Sequence, residues 1–298
     1  MRQAQAAPID LPFIGGKFRL ALGLLPVEDY AWFDIGPNLS SELAAKRALL
    51  ESHHAEVFHA LPAASAAAAE LLDLLAEHLP RHHPASFRFD RDRFFNRATG
   101  ETWNLADASL HPLDTAGRLV AEDLCLLQIE NGRMVLVGAS LCAPARWLLA
   151  EKIGKPVLAI HAPVPGYGDA LGQPVDQFLA ALKPDRLFRR FNWGIADGPE
   201  PFQPVAQPPA AGVTPENAGE KLWLRVERQT FRRLPETSAI VFTIRTFITR
   251  LDHAIVDEGI ARDLAAVIRE MPPGMQAYKR VAPFAPALLG WLDRRAKN

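Results

Sequence analysis

Apolar and polar side chains alternate at every second position in two stretches of the chain, residues 222–231 (LWLRVERQTF) and 239–248 (AIVFTIRTFI). A period of two sends successive side chains to opposite faces of a β-strand, so both stretches are expected as half-buried strands. Their short connection, Arg232 to Ser238 through Pro235, makes a hairpin. A second apolar pair, residues 120–129 and 134–141, flanks Asn131-Gly132, the strongest short turn signal for a hairpin, although the first member also fits a helix. Residues 187–195 read as a further strand carrying Arg189, Arg190, Asn192 and Trp193. FRFDRDRFF and ETWNL, separated by Asn96 and Gly100, place the start of sheet structure near Phe87.

Helical texture lies on either side of these strands. Ser40 or Ser41 can N-cap a helix with Glu42 in its first turn, and Leu43, Lys46, Leu50, Val57 and Phe58 carry a partly amphipathic pattern to about residue 60. Residues 63–79 form a second, alanine- and leucine-rich helix that Pro80 and Pro84 close. Pro144 can start a helix reaching Gly154, residues 156–160 look extended, and residues 175–182 look like a small helix. Residues 257–269 and a segment around Leu288, Leu289 and Leu292 supply the last two helices. Residues 1–38 read as an irregular arm and residues 197–219, dense in Pro, Gly and Ala, as a surface loop. The expected fold class is α+β: an antiparallel sheet core over residues 85–250, an arm and helices over 1–84 packing on it, and a helical extension over 251–298.

Composition narrows the partners. The chain of 298 residues has 33 Lys and Arg against 34 Asp and Glu, so it has no basic field to hold nucleic acid or an anionic membrane. Glu70, Asp73 and Glu77 interrupt the longest apolar run, and the first thirteen residues lack a continuous apolar signal segment. Cys125 and Cys142 sit in apolar surroundings without C-x-x-C spacing, as reduced core thiols. A soluble, cytoplasmic protein is expected.

The most unusual local sequence is IHAPVPGYGD, where His161 enters a loop stiffened by Pro163 and Pro165 and holding Tyr167. Such a loop presents an imidazole in a fixed direction, and a neutral imidazole beside Val157, Leu158, Ile160 and Val164 suits an axial ligand of haem iron. A satisfied structural histidine fits the same pattern. His111, in SLHPLD, is the second candidate ligand, with a turn or cap as its other role. His53-His54 and His82-His83 read as solvated pairs without the i, i+4 spacing of a helical metal site. In the strands, alternation sets Arg225 beside Glu227 on one face and Arg228 on the other, and Arg245 lies in FTIRTF. These guanidinium groups can bind carboxylates bidentately or serve as ordinary paired strand residues. Glu122 and Asp123 read as surface charges. No dinucleotide fingerprint, Walker loop or nucleophile elbow is present.

EDLCLLQ at 122–128, EKIGKPVLAIHAPVPGY at 151–167, RFNW at 190–193 and LWLRVERQTFRRLPETSAIVFTIRTF at 222–247 together resemble the haem-dependent oxidative N-demethylase alpha-subunit family. The resemblance covers the central half of the chain and extends to PFIGGKFRLALGL near its start. It implies a Per-ARNT-Sim-like sheet holding haem b, oxidation of a small methylated amine such as dimethylamine by O₂, and electrons delivered by an external flavin and iron–sulfur reductase. This chain has no cysteine set for a cluster of its own. Within the matching blocks, residue chemistry makes His161 the iron ligand, Arg225, Arg228 and Arg245 propionate contacts, and Tyr167, Arg190 and Asn192 the groups nearest to substrate or oxygen. A haem-based gas or redox sensor without turnover is the alternative, and a cofactor-free binding or scaffold protein the third.

Overall fold

A computed structural model describes residues 11–297 of the chain; the beginning of the expected arm, and with it the absence of a signal segment, lies outside them. Two edge strands come from the first third of the chain, β1 (Leu25–Val27) and β2 (Phe58–Ala60), with helices α1 (Leu39–Ser52), α2 (His54–Val57) and α3 (Ser65–His82) around them. A small sheet follows, β3 (Phe87–Asp90), β4 (Arg93–Asn96) and β5 (Glu101–Asn104), and then α4 (Pro112–Leu119). Next come β6 (Asp123–Glu130), β7 (Arg133–Ser140), α5 (Val157–Ile160), α6 (Gln173–Ala181) and β8 (Leu187–Ala196). After α7 (Ala218–Lys221), β9 (Trp223–Arg233) and β10 (Ile240–Arg250), the chain ends in α8 (Leu251–Ala254), α9 (Glu258–Glu270), α10 (Pro273–Tyr278) and α11 (Ala285–Arg295).

The main sheet has seven strands in the order β1-β8-β9-β10-β6-β7-β2, every neighbour antiparallel. The two hairpins that period and turn chemistry predict are both there. Asn131 and Gly132 adopt φ of +50° and +75° between β6 and β7, the pair of left-handed residues that matches the twist of the flanking strands. β9 and β10 pair from Trp223 opposite Arg250 to Arg233 opposite Ile240.

Register divides the sheet into two unlike faces. On one, Leu124, Leu126, Val137 and Val241 lie under α1, α3 and α4 in a closed core with Leu71, Leu75 and Leu113. On the other, Cys125, Leu127 and Leu136 pack against Leu171, Val175 and Leu179. A third cluster joins the ends of β8 and β9, through Trp193, Leu224 and Val226, to Leu264, Ile268 and Leu288 of α9 and α11. α9 is strongly amphipathic and is capped by Asp257, whose side chain accepts from the Ile260 N–H at 2.8 Å.

Four local expectations are corrected. FRFDRDRFF is not one strand but the β3-β4 hairpin of a separate sheet, turned at Arg91 with φ +56°. α3 continues through Pro80 to His82, because a proline in the last turn forfeits only one late hydrogen bond. Residues 144–154 hold a single 3₁₀ turn at Leu149–Glu151 rather than a helix, since Arg146 turns to φ +64° and residue 145 bridges to Gln203. Residues 156–160 are a helical turn, not extended: four apolar residues have no period to distinguish the two.

Glu122 and Asp123 are not surface charges but buried, at 0 % and 2 % exposure. Asp123 accepts the backbone N–H groups of Cys142 and Ala143 at 2.7 and 3.0 Å. Glu122 accepts the Asp34 N–H at 2.8 Å, with Arg245 and Arg228 near it. Burial pushes both carboxyls upward against these partners. Lys46, also buried, donates to the carbonyls of Val120 and Glu122. Cys125 and Cys142 are free and buried, as expected, and burial raises both thiols, that of Cys142 to about 12. Among the described residues, no helix is long and apolar enough to cross a membrane.

Candidate functional site

α5 begins behind Pro156, and its single turn ends at His161. Val164 N–H donates to the His161 carbonyl at 2.9 Å and Tyr167 N–H to the Val164 carbonyl at 3.1 Å, so successive tight turns carry the chain back on itself. Gly166, at φ +73°, supplies the left-handed position that this reversal needs. The result is a stack: the His161 and Tyr167 rings lie 4.5 Å apart and 10° from parallel. Burial pushes the Tyr167 phenol up to about 12, so it stays a hydrogen-bond donor at neutral pH.

The two candidate histidines differ in which nitrogen holds a lone pair. His161 Nδ1 lies 2.8 Å from the Val157 carbonyl, which can only accept. The proton is therefore on Nδ1, and Nε2 presents a lone pair with no hydrogen-bond partner among the described residues. Burial, reinforced by the Arg190 and Lys152 cations and opposed by the Val157 hydrogen bond, holds this imidazole below its ordinary pKa, hence neutral. His111 is wired the other way. Its Nδ1 accepts the Leu113 N–H at 3.2 Å as the N-cap of α4, which places the proton of the neutral ring on Nε2. Neither nitrogen of His111 is then free to ligate, and its cap role prevails.

His161 and Tyr167 lie over the second sheet face. There the register aligns Phe188, Arg190 and Asn192 of β8 with Phe231, Gln229 and Glu227 of β9, and with Phe242, Ile244 and Thr246 of β10. All nine side chains are only half-buried, although their strands are internal to the sheet. On the opposite face of β9, Val226, Arg228 and Thr230 are fully covered. Phe231 and Phe242 stack at 4.8 Å, and Phe178 of α6 meets Phe188 and Phe231 edge-on at 5.4 and 5.6 Å. This half-covered face, aromatic at the Phe188, Phe231 and Phe242 end and polar toward Asn192, Glu227 and Thr246, is a candidate binding surface.

Charge is arranged along its rim. Arg190 acts electrostatically on both Tyr167 and His161, has no hydrogen bond or ion pair among the described residues, and buries its Nε unpartnered. Burial pulls its pKa down, opposed by Tyr167 and Glu227. Glu227 is saturated: Arg225 Nε donates to Oε1 at 3.1 Å, and Asn192 Nδ2 and Gln229 Nε2 donate to Oε2 at 3.2 and 3.0 Å. Burial pushes this carboxyl up, but Arg225, Asn192 and Lys279 outweigh it, and Glu227 stays ionised.

Lys279, which no sequence pattern singled out, donates to Asn192 Oδ1 at 3.0 Å and to the Trp193 carbonyl at 2.5 Å. Burial lowers its pKa from 10.5 to about 8. Below that value Lys279 is protonated in both folded and unfolded chains and the burial penalty is fully felt. As pH rises from about 8 toward 10.5 only the folded form sheds the proton, so stability increases through that window, by at most ~1.4 kcal/mol per pH unit. Urea unfolding of Lys279→Met should lack this rise; an identical pH profile in both proteins would refute the assignment.

Not every sequence candidate converges. His161, Tyr167 and Arg190 come together, with Asn192 two residues further along β8, and the expected Arg225–Glu227 pair forms, but every nitrogen of Arg225 is occupied, by Glu227, Thr246 and the carbonyls of Pro201 and Ala143. Arg228 and Arg245 project from the opposite face, where Arg228 donates to the carbonyls of Ala31 and Trp32 and Arg245 pairs with Glu42 at 2.6 Å. Both therefore lie on the sheet face away from Glu227 and Gln229. Asn192 is committed on both sides, so it positions Glu227 and Lys279.

A neutral histidine with a free Nε2 lone pair, beside a part-open aromatic sheet face and an unpaired arginine, fits a flat apolar group that carries a metal and a carboxylate. The structure is thus that of an α+β protein whose site suits a metalloporphyrin. The family model described as haem-dependent oxidative N-demethylase, alpha subunit-like, matches residues 23–289. The chain belongs to that family.

Proposed function

We propose that this chain is the haem-binding component of an oxidative N-demethylase that uses O₂ to remove a methyl group from a small methylated amine, with His161 Nε2 as the axial ligand. The observation that carries this is the His161 tautomer: Nδ1–H is spent on Val157, and the lone pair on Nε2 has no hydrogen-bond partner among the described residues. Ligating histidines characteristically donate their other N–H to a carbonyl or carboxylate in this way. Haem b, when bound, supplies the one-electron and dioxygen chemistry that no side chain of this chain offers.

The chain's own residues do the rest. Val157 fixes the direction of the imidazole through the hydrogen bond to Nδ1. Phe188, Phe231 and Phe242 present the apolar face and keep water from it. Arg190 is the cation for an anionic carboxylate such as a propionate, a role for which the nitrogens of Arg225 are already engaged and for which Arg228 and Arg245 lie on the opposite face of the sheet. The Tyr167 phenol, stacked on His161, stays a hydrogen-bond donor at neutral pH. Asn192 keeps Glu227 and Lys279 in register. The family's designation as an alpha subunit supports partner subunits, and a flavin and iron–sulfur reductase would deliver the electrons.

Haem-loaded protein, given O₂, a low-potential electron donor and a panel of secondary and tertiary methylamines, should release formaldehyde in step with amine loss. A reducible iron that yields no formaldehyde across the panel would overturn the demethylase activity in favour of sensing.

A further inference from the structure

α3 carries His78 and His82 one helical turn apart, so both imidazoles project from the same side. Opposite them stands Asp29, which opens the 3₁₀ turn Asp29–Ala31 just after β1. One ligand atom from each of the three lies within 4.8 Å of the others. Asp29 Oδ2 is 3.6 Å from His78 Nδ1 and 3.0 Å from His82 Nε2. Ligands held tetrahedrally at about 2.0–2.1 Å from zinc sit roughly 3.3–3.4 Å from each other. The two measured separations bracket that value.

We propose that Asp29, His78 and His82 form a binding site for a divalent transition metal of the zinc class, which fastens the arm after β1 to helix α3.

Three further observations favour it. The His78 side chain is only 3 % exposed, yet it makes no hydrogen bond among the described residues, and its Nδ1, 3.6 Å from Asp29 Oδ2, is the nitrogen that meets the carboxylate. Burial, the largest influence, takes its pKa to about 3 despite Asp29, so a proton does not fill the gap at neutral pH and the imidazole is available as a neutral ligand. Trp32 and Phe33 wall the inner side, with ring centroids 5.0 and 5.8 Å from His78. The outer side is open: Asp29 and His82 are 46 % and 20 % exposed, and Asp29 and Arg232 line a surface cleft of about 280 Å³ that gives an ion access. Arg232 pairs with the other carboxylate oxygen, Oδ1, at 2.5 Å and stacks over Trp32 at 4.4 Å. It therefore orients the carboxylate with Oδ2 toward the two imidazoles, where a bound metal would replace the hydrogen bond that Oδ2 now shares with His82 Nε2. Two imidazoles and a carboxylate with no thiolate select a borderline cation over calcium or magnesium.

The full chain, both haem-free and haem-loaded, would be titrated with Zn²⁺ by calorimetry and with Co²⁺ by visible absorption. One ion per chain is expected in both forms, with a melting temperature higher in Zn²⁺ than in EDTA. His82→Ala and Asp29→Asn, both at part-exposed positions, should each weaken binding by about tenfold or more, whereas His161→Ala should leave it unchanged. Absence of stoichiometric binding, or binding indifferent to both substitutions, would overturn the site.

Discussion

Replacing His161 by alanine is expected to weaken haem binding by more than about a hundredfold. Loss of an outer-shell partner alone costs metal sites 10–100-fold, and this substitution removes the ligand itself. The wild-type chain supplemented with haem should show a Soret band with imidazole character; the variant should not. His161→Gly leaves room for free imidazole, which should restore the band and so separate loss of the ligand from loss of fold. Because His111 spends its Nδ1 lone pair on the Leu113 N–H, it offers no substitute. An alanine variant with unchanged affinity and spectrum would remove His161 from the iron.

Glu227→Gln should produce the largest loss of stability. The side chain is 13 % exposed and its carboxylate joins Arg225, Asn192 and Gln229 together. Glutamine keeps the shape but leaves the Arg225 guanidinium buried without its counter-charge, a change that costs about 3–5 kcal/mol when a buried pair is broken. The folded-state pKa of Glu227 lies below its ordinary 4.5, so its stabilising contribution is present above that value and fades as pH falls below it. Chemical denaturation at pH 7 and pH 4 should show the deficit of the variant shrinking at the lower pH. A deficit below about 1 kcal/mol at pH 7 would mean that the pair is a surface contact in energetic terms.

Much of this was legible in the chain. Period-two patterning located β9 and β10, and Asn131-Gly132 located the β6-β7 turn, because both signals are local. The alternation that put Arg225 beside Glu227 and Arg228 on the other face also holds. What that alternation leaves open is which face receives the ligand. That depends on α5 and α6 folding over one side while α1, α3 and α4 seal the other. For the same reason the propionate role of Arg228 and Arg245 had no local contradiction. Glu122 and Asp123 looked like surface charges because their partners, Lys46, Arg245 and the amides of Asp34 and Cys142, arrive from distant elements. The i, i+4 spacing of His78 and His82 stands in the sequence, masked by the adjacent pair His82-His83; Asp29 joins them only in the fold. Lys279 follows a short helix in an unpatterned tail and carries no signal at all.

Phe13 packs edge-on against Trp193 at 5.5 Å, and the Gly15 and Phe18 N–H groups donate to Asp263 and Glu270 of α9 at 2.8 and 2.7 Å. The leading arm and the trailing helices thus clasp each other like a buckle over the strand that carries Arg190 and Asn192. Trimming either half of the clasp to make a smaller fragment would unfasten the same seam, and the binding face would loosen although none of its own residues had been touched.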